Sequence, residues 1–386
     1  MRTARDWARS ISAVIVLLGA VAAAIVAFTG RWDRAAIKLP PPRTVVLYSS
    51  VDDPIVSEVI ARFRQEMGII VEVVGDTEAT RTTGLTQRLM AEKNSPRADV
   101  WWSSEPLGTV LLAREGVLAP MDSPPLDSEK GTPWPPEYKA KDGSWHAFAL
   151  RARVIGYNSK WVKALRSPRS LRDLSNPDWK GKIGMARPQF GTTRTQMAAL
   201  VALNGPEAFR AWLESLKGND LRLYDGNSAV AKAIGMGEID VGLTDTDDVR
   251  AAQSNAWPVA MNFEGVEGKV ATSQGEESPG GALSHAEQTQ ASRQIASMGP
   301  LAIPNTVAVV KGCRHPREAQ LLAEYLLSAR TEALLAELEQ HTQPIRPWLV
   351  QEHRQIDVPH PLAVDWEKVA DALPEAMRIC QEVLGN

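Results

Sequence analysis

Along most of this chain, short β-branched apolar runs alternate with stretches of helical apolar spacing. Each run ends in a burst of small polar or acidic residues. Val45-Val46-Leu47-Tyr48 stops at Ser49-Ser50-Val51-Asp52-Asp53-Pro54. Pro54 suits the first turn of a helix bearing Ile55, Val59, Ile60 and Phe63, with Asp52 or Asp53 as its cap. Gly68 closes that helix, and residues 69–74 read as a second strand. Hydroxyl-rich residues 76–83 precede a helix over 85–93. Ala98-Asp99-Val100-Trp101-Trp102 is a third strand that breaks into Ser103-Ser104-Glu105-Pro106 before another helix, which Gly116 ends. Alternation of this kind predicts a doubly wound α/β unit, whose ligands sit outside the carboxyl ends of the strands.

A Pro-rich connection over 123–143 leads to a second unit. Residues 145–158 form a long alternating stretch, a strand pair or a crossover, with Arg151 and Arg153 on one face. Trp179-Lys180-Gly181-Lys182-Ile183 leads by a strand into Phe190-Gly191-Thr192-Thr193, where a helix over 194–204 begins. Gly191, Thr192 and Thr193 therefore offer amides and hydroxyls at a helix N-terminus, a setting that favours anions. Asp225-Gly226-Asn227-Ser228 turns into a helix over 229–236. Ile239, Val241 and Leu243 then predict a buried strand that leaves the sheet at Thr244-Asp245-Thr246-Asp247-Asp248. Residues 265–299 are polar and rich in Gly and Gln, as expected of a flexible insertion without a core. Structure resumes with a strand over 301–310, helices over 317–328 and 331–339, and a terminal helix.

The N-terminus adds a second layer of organisation. Arg2, Arg5 and Arg9 precede an uncharged run over 11–30, long enough to span a bilayer. The basic flank keeps the start in the cytoplasm, so the remainder is exported, behind an uncleaved anchor or a cleaved signal. No Cys lies near this run, which excludes a lipoprotein anchor. Residues 31–43, with Pro40-Pro41-Pro42, form a stiff tether. With 44% hydrophobic and 23% charged residues the rest can bury real cores, and its length suggests two domains. A net charge of -3, with no Lys/Arg block beyond the extreme N-terminus, argues against nucleic-acid binding. Cys313 and Cys380 stand apart from CxxC spacing, so no thiolate metal site is expected; in an oxidising compartment they could pair.

Asp245, Asp247 and Asp248 suit the oxygen coordination of a hard cation, an amine or a hydroxylated solute, or the capping of a helix. Arg151 and Arg153 suit an anion clamp or a solvated strand face. Tyr48, Trp101 and Trp102 read as core. The Asp-x-Asp-x-Val stretch at Asp245 resembles the nucleophile loop of haloacid-dehalogenase-type phosphatases. It lies about 200 residues into the fold, without the Lys and acids that family places downstream. With no base–nucleophile pair evident, a non-enzymatic protein is expected.

Several blocks in order resemble the type II periplasmic solute-binding proteins of ABC importers. They are Leu47-Tyr48-Ser49-Ser50, Ala98-Asp99-Val100-Trp101-Trp102-Ser103, Trp179-Lys180-Gly181-Lys182-Ile183 with Phe190-Gly191-Thr192-Thr193, Asn227-Ser228-Ala229, and Ile303-Pro304-Asn305-Thr306. The nearest branch is that of the ferric-iron-binding proteins. The resemblance implies two lobes, each a doubly wound sheet, closing by a hinge on a ligand between them. Lobe 1 would comprise 44–150 plus 300–340, and lobe 2 would comprise 151–264 plus 341–386. It further implies a periplasmic protein, anchored in the inner membrane if 11–30 is retained, that delivers a small ligand to permease and ATPase subunits. The implied ligand is ferric iron with a synergistic anion, carried as cargo, with no covalent cofactor. Ser49, Asp52, Ser103, Ser104, Glu105, Arg151, Gly191, Thr192, Thr193, Asn227, Asp245, Thr246 and Asp247 are the expected ligand-binding residues, and Asp247, Asp245 and Glu105 the expected metal ligands. The anion cradle would be Gly191, Thr192 and Thr193 with Asn227. Where ferric-binding relatives carry adjacent tyrosines this chain has Thr246 and Asp247, so the phenolates that suit ferric iron are missing. A binding protein for a small carboxylate, phosphonate or amine, and a tethered ligand sensor, are the alternative expectations.

Overall fold

The computed structural model describes residues 43–385 apart from 77–81, 123, 125, 127–130, 267–294, 339–341 and 354–357. The expected membrane segment over 11–30, nearly all of the tether over 31–43 and most of the insertion over 265–299 lie outside the described residues. Among the described residues, no helix is long and apolar enough to cross a membrane.

The first half follows the predicted alternation: β1 (Thr44–Ser49), α1 (Asp53–Met67), β2 (Ile70–Gly75), α2 (Thr83–Ala91), β3 (Val100–Ser103), α3 (Pro106–Arg114) and β4 (Leu118–Ala119). β1 lies between β2 and β3, parallel to both, so Ser49, Gly75 and Ser103 end at one edge. Val45, Leu47, Val100 and Trp102 are fully buried against α1, whose Val59 and Phe63 are equally buried. Gly68 adopts the left-handed conformation (φ 63°) that ends α1, a conformation costing a side chain about 1–2 kcal/mol.

The long alternating stretch is a single crossover strand, β5 (His146–Asn158), buried over all 13 residues. After it come β6 (Ile183–Ala186), α4 (Gly191–Asn204), α5 (Pro206–Gly218), β7 (Arg222–Tyr224), α6 (Asn227–Met236), β8 (Val241–Asp245), α7 (Thr246–Ser254) and β9 (Val259–Phe263). β10 (Ala302–Val310) returns to the first half, and α8 (Pro316–Leu326), α9 (Ala329–Glu337), α10 (Pro347–Glu352) and α11 (Trp366–Leu384) complete the chain. The sheet runs β2-β1-β3-β10-β5-β8-β6-β7, so β5 and β10 stitch the two parallel halves together. β6 is parallel to β7 and β8, and the carboxyl ends of all three face the same way. Terminal α11 packs chiefly on α4 and α5.

Where β5 meets β10 the ladder slips by one residue, with Pro304 opposite Leu150 but Asn305 opposite Phe148. The displaced residue, Ala149, has φ +48°. Its N–H donates to Glu332 Oε1 at 3.4 Å, and its carbonyl accepts from Asn305 Nδ2 at 2.9 Å. Glu332 and Arg346 form a fully buried pair behind this bulge, at 2.5 Å. A bulge bends a strand, and here it lies two residues before Arg151, which still pairs with Ile303 of β10, while Arg153 pairs with Asp245 of β8. Cys313 and Cys380 are both free thiols; burial pushes Cys380 up to about 12.

Candidate functional site

Register explains the site. In the antiparallel pairing of β5 with β8, Arg153 stands directly opposite Asp245. Opposite charges at such a position interact across strands. Two residues on, a pleat returns Arg151 to the same face, where it reaches past the end of β8 into the first turn of α7. Arg153 Nη1 donates to Asp245 Oδ1 at 2.7 Å, and Arg151 Nη1 donates to Asp247 Oδ2 at 3.2 Å. All four side chains are buried. Neither arginine is a solvated strand-face residue.

Asp245 accepts from three side chains at once. Besides Arg153 it accepts from Thr192 Oγ1 at 2.6 Å and Asn227 Nδ2 at 3.2 Å, and Arg151 Nε lies 3.7 Å away. Arg153 also donates to Gln196 Oε1 at 2.9 Å, Asn227 Oδ1 at 3.0 Å and Thr192 Oγ1 at 3.2 Å. Burial alone would raise Asp245, but Arg153 and Arg151 overcome it and hold the carboxyl below its usual range. Burial dominates at Asp247, where Arg151 opposes it and the neighbouring Asp245 and Asp52 add to it, so this carboxyl is raised. Asp247 Oδ1 is buried and, among the described residues, lacks a hydrogen-bond partner. One aspartate is thus fully satisfied, and its neighbour keeps an oxygen in reserve.

Asp247 lines a cavity of about 40 Å³. The wall includes Asp52, Arg151, Gly191, Thr192, Asn227, Asp245, Asp247 and Asp248, with Arg187 and Asp225 also lining it. Oxygens of Asp245, Asp247 and Asp248 lie within 4.8 Å of one another. Three helices, α4, α6 and α7, begin here, and Gly191 (φ +57°) turns the chain into the first of them. Five aspartates face two lining arginines, with Arg153 behind, so carboxylate outnumbers guanidinium. An excess of that sign favours a cation, while the helix N-termini and Arg151 favour an anion beside it.

Six of the residues expected from sequence do not line this cavity. Glu105 caps α3, accepting from Leu107 N at 2.7 Å and Gly108 N at 2.9 Å, and it also accepts from Thr195 Oγ1 of α4 at 2.7 Å. Ser103 Oγ donates to the Glu105 carbonyl at 2.7 Å, and Ser104 offers its carbonyl to Arg151 Nη2 at 2.8 Å. Ser49 Oγ accepts from Val51 N at 3.2 Å. Thr193 Oγ1 donates to Asn227 Oδ1 at 3.1 Å, and Thr246 Oγ1 accepts from Ala152 N at 3.2 Å. Asp52 holds the N-cap position of α1 without a side-chain cap bond and faces the cavity. The sequence offered Arg153 as part of an anion clamp and Asp248 as an oxygen ligand, though neither was among the expected ligand-binding residues; Arg187, Asp225 and Gln196 were given no place in the site. Arg187 had a signal, because it directly follows the end of β6.

Behind Arg153 lies a second cavity of about 10 Å³, lined also by Gln196 and Glu264. Arg153 Nη2 and Glu264 Oε1 are both buried without a hydrogen-bond partner among the described residues. A space of this size fits about one water molecule. Burial pushes Glu264 up to about 7, against a hydrogen bond from Leu171 N. An acid raised on folding contributes its full stability below its ordinary value of 4.5 and loses it as pH rises through about 7. Stability measured by urea titration should therefore fall by on the order of 3 kcal/mol from pH 5 to 8 through this group. Glu264→Gln should remove that slope; an unchanged slope would assign it elsewhere.

Comparison with known proteins agrees with the fold. A family model described as bacterial extracellular solute-binding protein matches residues 110–261. The Fe(3+)-binding periplasmic protein of Serratia marcescens is 31% identical over 201 residues, which are 52% of this chain and 56% of that protein. The chain thus spans about half the length of the curated relatives it matches first. The iron-bound HitA structure from Pseudomonas aeruginosa superposes with a TM-score of 0.69 at 24% identity, over 89% of this chain and 99% of that one. Apo ferric ion-binding protein A from Pasteurella haemolytica gives 0.71 at 20% identity, over 89% and 98%. The chain therefore has the two-lobed fold of the type II periplasmic binding proteins, and over residues 110–261 it matches the bacterial extracellular solute-binding proteins.

Proposed function

We propose that this protein is the extracytoplasmic solute-binding component of an ABC importer of the ferric-iron class, capturing its cargo by closure of the two lobes. The observation that carries this reading is the oxygen cluster of Asp245, Asp247 and Asp248 at the end of β8, with Asp247 Oδ1 buried and without a hydrogen-bond partner among the described residues. Hard cations take carboxylate oxygens, and the carboxylate excess in the wall suits a highly charged one. The Serratia marcescens relative is by name an Fe(3+)-binding periplasmic protein, which supports the same cargo class. We place lobe 1 at 44–150 plus 300–340 and lobe 2 at 151–264 plus 341–386, with β5 and β10 as the crossing strands. Residues 11–30 would hold the protein at the inner membrane, presenting the closed lobes to permease and ATPase subunits.

A small organic anion is the second reading, favoured by the two buried arginines. A thermal-shift series with ferric citrate, gallium citrate, free citrate and a set of small carboxylates and phosphonates separates the two. A ligand at a hundred times its dissociation constant stabilises by about 2.7 kcal/mol. The iron reading expects a rise with both trivalent metals and none with citrate alone. A rise with an organic anion and none with either metal would replace it.

A further inference from the structure

We infer that Asp245 is a built-in anion: its carboxylate fills the cradle that a small inorganic oxyanion would otherwise occupy. Cation capture by this chain then needs no added anion. The inference deepens the binding-cleft reading above, and its test uses no metal, so either can fail without the other.

Asp245 holds the N-cap position of α7, where an aspartate ordinarily accepts from the amides of its own helix. It makes no side-chain cap bond there. Instead its carboxylate is turned towards the starts of α4 and α6, where it meets Thr192, Asn227 and Arg153. These donors are of the kinds that bind phosphate or carbonate: a hydroxyl and an amide at two helix N-termini, and a guanidinium. Arg151 Nε, 3.7 Å from Asp245 Oδ2, is buried and has no hydrogen-bond partner among the described residues. One carboxylate thus takes the place of a small oxyanion but supplies two oxygens, leaving this guanidinium nitrogen unsatisfied. Asp245 also lies beside Asp247 and Asp248, with oxygens of the three carboxylates within 4.8 Å of one another.

The test is inorganic phosphate titrated at constant ionic strength into metal-free protein, read as melting temperature. Wild type should show no shift, because the cradle is filled. Asp245→Ala opens it, and saturating phosphate should raise the Tm of that variant by about 2 °C or more. Asp245→Asn removes the charge but keeps the volume, and should not respond. A cooperatively melting Asp245→Ala that ignores phosphate would overturn the inference, as would an Asp245→Asn that responds as strongly as Asp245→Ala. Should Asp245→Ala fail to fold, Asp245→Ser gives the same opening with a smaller gap. The wild-type arm stands by itself, since a phosphate shift there would show the cradle open and overturn the inference.

Discussion

Replacing Arg153 by alanine should cost the metal-free protein about 3–5 kcal/mol, the range for removing one partner of a buried ion pair. Arg153 is the principal countercharge of Asp245, at 2.7 Å, and both side chains are almost wholly enclosed. Without it the aspartate keeps Thr192, Asn227 and a distant Arg151, which do not cancel a buried charge. Because Arg153 holds Asp245 below its ordinary range, the sign with pH follows. A depressed acid contributes stability above its unfolded value, and that contribution is lost as pH falls through the folded value. The Arg153→Ala deficit in urea-unfolding free energy should therefore shrink on acidification, as Asp245 takes up a proton. A cost below about 1 kcal/mol at pH 7 would mean that solvent reaches this pair. The double variant with Asp245→Ala should recover part of the loss, since neighbouring groups are not additive.

Asp247→Asn should have two effects of opposite sign. Burial, with Asp245 and Asp52 nearby, raises Asp247 despite Arg151. A raised acid favours the fold while protonated and loses that contribution as pH climbs through its folded value. Its ionised form therefore costs stability at neutral pH, and the neutral amide should melt higher than wild type. Cation affinity should fall by about 30-fold or more, on the scale of losing one partner of a buried charge contact. Calorimetry with gallium citrate and melting of the metal-free variant check the two halves separately. Lower melting with unchanged affinity would make Asp247 a structural countercharge of Arg151 and remove it from the site.

The alternation of apolar runs with helical spacing was enough to read the two α/β halves. Polar bursts at strand ends picked out Asp52, Gly191, Asn227 and Asp245, which line one cavity, because where a strand ends is a local property of its sequence. Pairing is not local. That Arg153 faces Asp245 depends on the register of two strands 92 residues apart, and no sequence pattern marks that register. Glu105 illustrates a different limit. A carboxylate after a buried strand suits a ligand role, yet Pro106 at the first helical position also marks an N-cap, and its oxygens are engaged by Leu107, Gly108 and Thr195. The Ala149 bulge, a non-glycine residue at φ +48°, carried no sequence signal because its conformation is set by Glu332 and Asn305 from distant segments.

The proposed cargo is a hard trivalent cation bound at the end of β8, against Asp247 and Asp248. Anomalous scattering at the iron edge, from crystals grown with ferric citrate, tests it most directly. One strong peak per chain is expected, at coordination distance of about 2 Å from the Asp247 carboxylate. A cleft with no peak at this site, or one holding an organic anion on Arg151 instead, would contradict it.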